Sequence, residues 1–120
     1  MTNQPVRRVE DFLKEISRNP GFEEMAEIQV NSRSYLGDTP LHVAAIWGDV
    51  EAIKLLVEAG ADINTPDSFG ETALHDAALQ KHRAAYDLLL LLGADPSINN
   101  NDGYTAADII EDKYRNLPPP

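Results

Sequence analysis

Apolar residues along this chain recur in short runs at helical spacing, and glycines fence the runs off. Val50, Ile53, Leu56 and Val57 fall on one side of a 3.6-residue period and predict a helix whose apolar face meets its neighbours. Gly60 follows as a left-handed stop, and a second run from about Arg83 to Leu92 is closed the same way by Gly93. A shorter block precedes each run. Thr39 and Thr72 are placed to cap those blocks; Pro40 suits a first helical turn, where its missing amide costs nothing, and Ala73 replaces it in the second block. The turn Trp47-Gly48-Asp49 joins the first pair, with Asp49 as the cap of the longer helix. Toward the N-terminus, Pro5 opens a predicted helix with Val6, Val9, Leu13 and Ile16 as one stripe, which Asn19-Pro20-Gly21 ends. Phe22, Met25, Ala26 and Ile28 supply a second, shorter segment. A last helix is predicted from about Ala106 to Tyr114, before Pro118-Pro119-Pro120.

The units are copies of one another. Thr39-Pro40-Leu41-His42 with Ala44-Ala45 returns 33 residues later as Thr72-Ala73-Leu74-His75 with Ala77-Ala78. Gly37, Gly70 and Gly103 keep that interval, as do Thr39, Thr72 and Thr105, and as do Gly60-Ala61-Asp62 and Gly93-Ala94-Asp95. In period and motif the chain resembles the ankyrin-repeat family. The resemblance implies an all-α solenoid of stacked helix-turn-helix units, with finger loops and a concave face. It divides the chain into a helical N-terminal cap (1–33), two repeats (34–66 and 67–99) and a truncated repeat with a tail (100–120). Asn31, 33 residues before Asn64, marks the cap as a degenerate repeat. One departure stands out: Lys81 occupies a turn position where the family usually has glycine, and a positive φ there is costly for lysine. Leu91 and Leu92 stand where the first repeat has Glu58 and Ala59, and the tail, through Tyr114 or Leu117, is expected to cover them; exposure of Leu91 would favour self-association instead.

Charge narrows the partners. The chain of 120 residues carries a net charge of −10, and between residues 34 and 80 eight acids face Lys54 alone. Such a field repels phosphate backbones and attracts cationic surfaces, which argues against nucleic acid and for a basic partner. There is no cysteine, hence neither disulfide nor thiolate metal site. The longest apolar stretch, Leu88 to Leu92, is far short of the roughly 20 residues that span a bilayer, and the first residues are too charged for a signal peptide. A soluble, cytoplasmic chain, monomeric when unbound, is the expectation.

Candidate chemistry is sparse. The resemblance implies that His42 and His75 hydrogen-bond to backbone or to the threonine hydroxyl, tying finger to helix. A metal site from His75, Asp76 and His82 is disfavoured because the two histidines straddle a turn rather than share a helical face. Asn99 to Gly103 resembles part of a calcium loop, but with Gly103 at its sixth position the first and twelfth ligands would be Ile98 and Ile109. No phosphate loop, dinucleotide fingerprint or nucleophile elbow is present. The chain is therefore read as a non-enzyme without cofactor or metal.

In the family, partner-reading residues lie on the fingers and the first helices. By position, the first repeat offers Tyr35, Leu36 and Asp38 on its finger, then Ile46 and Trp47. The second offers Ser68, Phe69 and Glu71, then Leu79 and Gln80; the half repeat offers Asn101, Asp102 and Tyr104. Tyr35, Phe69 and Tyr104 suggest an aromatic ladder with an acidic rim of Asp38, Glu71 and Asp102. Trp47 fits an interface anchor or a contact with the N-terminal cap. Two functions follow: a general protein-interaction module, or an immunity- or antitoxin-type inhibitor that neutralises a basic toxin or nuclease.

Overall fold

The computed structural model describes residues 6–111 and has six α-helices among them, with no strand. Helix α1 spans Val9–Glu15 and runs into a 3-10 turn at Ile16–Arg18. Helix α2 spans Pro40–Trp47, α3 Val50–Glu58, α4 Ala73–Leu79, α5 Arg83–Leu91 and α6 Ala106–Ile110. They form two layers: α2, α4 and α6 stack side by side in one, and α1, α3 and α5 in the other. Each inner helix packs on the outer helix that follows it, α2 on α3 and α4 on α5. Small side chains permit the close stacking, since Ala44, Ala45, Ala52, Ala77, Ala78 and Ala85 are all buried. Leu41, Ile53, Leu56, Leu74 and Leu89 fill the space between them. Cutting one such leucine back to alanine costs about 2–5 kcal/mol, because the stack cannot collapse onto the void.

Local chemistry explains the helix ends. Thr39 caps α2, its hydroxyl accepting the His42 N–H at 3.4 Å, and Pro40 follows in the first turn. Thr72 and Thr105 hold the same place at α4 and α6; in the third unit Asp108 replaces the histidine and its carboxylate accepts the Thr105 N–H at 3.0 Å. Asp49 caps α3 by accepting the Ala52 N–H at 3.0 Å. Asn31 and Asn64 act alike: their side-chain oxygens accept the N–H groups of Asp62 and Asp95, each at 2.9 Å. The first segment thus performs a repeat's task although it lacks a repeat's helices.

The inner-to-outer turn differs between the two units. Gly48 has φ 68°, and Lys81 adopts nearly the same conformation at φ 60°. Glycine is doubly required at position 48: a Cβ there would lie 2.7 Å from the His82 ring, whose Nε2–H donates to the Ile46 carbonyl at 3.0 Å. Lys81 is exposed and carries the backbone cost of that conformation.

Several expectations need correction. Val6 is 85% exposed and takes no part in the N-terminal apolar stripe; Phe12 and Ile16 are the buried residues of that segment. Val50 is exposed too, because the buried face of α3 runs through Ala52, Ile53 and Leu56. Ala26 is exposed, and residues 20–24 form turns around a buried Phe22. Helix α6 ends at Ile110, short of the expected Tyr114. Pro5, Tyr114, Leu117 and the terminal prolines lie outside the described residues. Leu91 is 82% exposed and Leu92 is half-buried.

Candidate functional site: the finger face

Two buried histidines build this face. The Nδ1 of His42 accepts the Thr39 N–H at 3.0 Å, so its proton resides on Nε2, which donates to the Glu71 carbonyl at 2.8 Å. His75 repeats the arrangement one unit on, with Thr72 N–H at 3.1 Å and the Tyr104 carbonyl at 2.9 Å. Each neutral imidazole therefore braces its own helix cap against the next finger. Burial lowers the His75 pKa and keeps the ring in that state. With both nitrogens spent on backbone, neither ring has a free atom for proton transfer.

The fingers are also tied to one another. Ser68 donates to the Leu36 carbonyl through both its N–H (3.1 Å) and its hydroxyl (2.6 Å). Asn101 N–H donates to the Phe69 carbonyl at 3.0 Å, and its side-chain amide to Ser68 O at 3.0 Å. Ser68 and Asn101, expected as partner-reading positions, are thus engaged in holding the row of fingers in register. Glycine is needed at the second joint: a Cβ on Gly70 would meet the Asn101 backbone nitrogen at 2.8 Å.

The remaining expected positions divide by exposure. Tyr35 (77%) and Phe69 (62%) stand free at the finger tips, with Leu36, Leu79, Gln80 and Asp102 exposed beside them. Asp38, Ile46 and Glu71 are half-buried. Tyr104 is half-buried and packs on the core, so the three finger aromatics are not equal rungs of a ladder. Their registers explain this: counted from the finger glycines, Tyr35 sits at minus two, Phe69 at minus one and Tyr104 at plus one. Trp47 is 42% exposed and meets Phe12 edge to face, with ring centroids 5.8 Å apart. Its indole thus spans the N-terminal cap and the surface.

Arg7 locks the cap in place. Its guanidinium grips Asp49 with two bonds of 2.9 and 2.8 Å, reaches Glu51 at 3.0 Å and Glu15 at 3.0 Å, and lies 5.5 Å from the Phe12 ring. The bond from Arg7 holds the Asp49 carboxyl below its ordinary pKa. An open cleft of about 920 Å3 lies between α1 and residues 25–32, walled by Val9, Leu13, Met25, Ile28 and Val30. It belongs to the N-terminal segment and ends just before the first finger, and its polar lining includes Glu10, Lys14, Ser17, Glu27, Gln29 and Asn31.

A cluster that the sequence did not announce lies beneath the first two fingers. One carboxylate oxygen from each of Asp38, Asp67 and Asp76 and a ring nitrogen of His42 lie within 4.8 Å of one another. Asp76 is only 5% exposed, and its Oδ2 has no hydrogen-bond partner. Burial, then the Glu71, Asp67 and Asp38 charges, push its pKa well above the ordinary carboxylate value. Burial and neighbouring acids raise Asp38 and Glu71 as well. The imagined grouping of Asp76 with His75 and His82 does not occur, since both rings serve backbone carbonyls. The available signal was a mismatch between repeats: Asp76 fills the inner-helix slot held by the buried Val43 in the preceding unit.

Comparison with known proteins agrees with this architecture. The family model described as ankyrin repeats (three copies) matches residues 9–106. The chain is 42% identical over 51 residues to ankyrin repeat domain-containing protein 31 of Homo sapiens, covering 42% of this chain and 3% of that protein. It is also 42% identical over 44 residues to an ankyrin repeat protein of Rickettsia felis, covering 37% of this chain and 14% of the relative. The chain thus spans a small fraction of the length of these relatives. Among the described residues no helix is long and apolar enough to cross a membrane. Stacked repeats of this kind generally bind proteins rather than catalyse reactions. On the full set of repeats, caps and finger braces, the chain belongs to the ankyrin-repeat family.

Proposed function

We propose that this chain is a non-enzymatic interaction module that holds a basic partner protein against its fingers and inner helices. The observation that carries the reading is the pairing of exposed apolar tips, Tyr35 and Phe69, with the acids Asp38, Asp67, Glu71 and Asp102 in the same row of fingers. Large aromatic side chains that are held on braced loops bind at low entropic cost, and a concentrated negative field speeds the approach of a cationic surface. Leu36 and Leu79 extend the apolar part; Ile46, Trp47 and Gln80 lie at its inner-helix edge. The free chain is taken to be a cytoplasmic monomer. An inhibitor of a basic toxin or nuclease is the special case in which the cationic surface held is an active site, and the acid-rich fingers favour it.

The test is capture from the source lysate at low and high salt, with Tyr35→Ala/Phe69→Ala alongside. Both tips are exposed, so the variant is expected to keep its fold, which circular dichroism checks. A basic protein retained by the natural chain, released by salt and absent from the variant is the expected result. Equal capture by both forms, or a partner indifferent to salt, would remove the finger-face reading. Assaying the captured protein with and without added chain then separates a tether from an inhibitor.

A further inference from the structure

The acidic pocket under the fingers holds one group that the partner-binding reading does not use, the buried carboxyl of Asp76. Asp76 shares a carboxyl–carboxyl contact with Glu71, and the other groups of the pocket whose hydrogen bonds are defined have no donor left for it. Asp67 Oδ1 accepts the N–H groups of Phe69 and Glu71, each at 2.9 Å. The His42 N–H is spent on the Glu71 carbonyl. Arg33, beside the first finger, donates to the carbonyls of Gly37 and Pro66. A buried carboxylate oxygen left without a donor costs about 1–3 kcal/mol or more, so its presence calls for an explanation.

We propose that Asp38, Asp67 and Asp76 form a binding site for one hard divalent cation of calcium's size. The site lies at the joint between the first finger, the second finger and helix α4. Oxygens coordinating Ca2+ lie about 2.3–2.6 Å from the ion, so any two of them are at most about 5 Å apart. The observed convergence, all donor atoms within 4.8 Å of one another, falls inside that sphere. Mg2+ at about 2.1 Å would demand contraction of the cluster. Both nitrogens of His42 are occupied by backbone groups, which leaves a set of oxygens and favours a hard ion over zinc. The unpartnered Oδ2 of the buried Asp76 is the independent observation that points to a cation as its partner. Half-buried Asp38 and Asp67 provide the approach from solvent.

The bound ion would pin finger 34–38 to finger 67–71 and so stiffen the surface that carries Tyr35 and Phe69. This inference does not rest on the identity of any partner. The long side chain of a partner's lysine is the competing occupant, but the buried Asp76 oxygen favours a small ion over a group carried by another folded surface.

The full chain, freed of metals with a chelator, is titrated calorimetrically with CaCl2, MgCl2 and MnCl2 at physiological salt. Asp76→Asn, Asp38→Asn and, as a control on the exposed face of α3, Glu58→Gln are measured in parallel. One Ca2+ per chain with a Kd tighter than about 1 mM is expected. Asp76→Asn should weaken it at least tenfold and Glu58→Gln should leave it unchanged. Thermal melting supplies the second readout: CaCl2 should raise the natural chain's melting temperature more than NaCl of equal ionic strength, and not that of Asp76→Asn. Absence of binding by all three ions, or equal binding by Asp76→Asn, overturns the proposal. So does loss of a basic partner from Asp76→Asn when no ion binds, which would assign the pocket to a partner's ammonium. Neither outcome alters the capture test of Tyr35 and Phe69, so the two readings fail separately.

Discussion

At the scale of single residues, the turn before α5 is where this sequence departs most plainly from what its backbone asks. Lys81 holds φ 60° in a turn whose equivalent is Gly48. The left-handed conformation costs a side-chain-bearing residue about 1–2 kcal/mol, part of which glycine returns through the entropy of the unfolded chain. Lys81→Gly should therefore stabilise the protein by about 0.5–1 kcal/mol, read as a higher urea midpoint at unchanged slope. An unchanged or lower midpoint would mean that the exposed lysine contributes something that this backbone argument omits. The strain at Lys81 was legible because a single position in an otherwise faithful repeat broke the glycine pattern. Asp76 broke its pattern too, standing in the slot of Val43, yet its neighbours were not legible. Asp38, Asp67 and Asp76 meet only because one repeat is laid on the next, an offset that spacing within a unit does not reveal.

At the scale of elements, threonine caps and glycine stops gave α2 to α5 almost to the residue, since both act through backbone groups at the helix ends. The N-terminal helix was read less well. Its apolar stripe suggested Val6, but α1 begins at Val9 and is held by a charge that hydrophobic periodicity ignores. Arg7 joins the start of α1 to the cap of α3 through Asp49, with Glu15 and Glu51 at its flanks. Arg7→Ala should cost about 1 kcal/mol, the magnitude of a partly exposed ion pair with an added aromatic contact. It should also speed amide exchange in α1 more than in α4. The pH dependence has a definite sign. Asp49 has a lowered pKa in the folded protein, so its contribution is complete above the unfolded value near 3.9 and is lost as pH falls through the folded one. The natural chain and Arg7→Ala should accordingly converge in stability in acid. A gap that persists in acid would point to the packing of Arg7 on Phe12 instead.

On the scale of the whole molecule, two electrostatic effects oppose each other, and ionic strength separates them. The Arg7 network is attractive, short and partly shielded from solvent, whereas the net charge of −10 is repulsive and falls mostly in the two central repeats. Screening acts on charges more than about 8–10 Å apart and affects close, half-buried pairs far less. Salt should therefore relieve more repulsion than it removes attraction, and the melting temperature should rise from low to moderate NaCl. Chloride is the proper probe, because sulfate would stabilise any fold by exclusion from its surface. Differential scanning calorimetry across that range checks the expectation; a falling melting temperature would show that paired charges outweigh the net field. The comparison bears on function as well. On the proposed reading, a cationic surface held against the fingers would relieve the same self-repulsion and stabilise the chain, since a ligand favouring the folded state raises stability in proportion to the logarithm of its concentration above Kd. The acids that weaken the isolated stack would then be the same ones that reward the proposed occupancy.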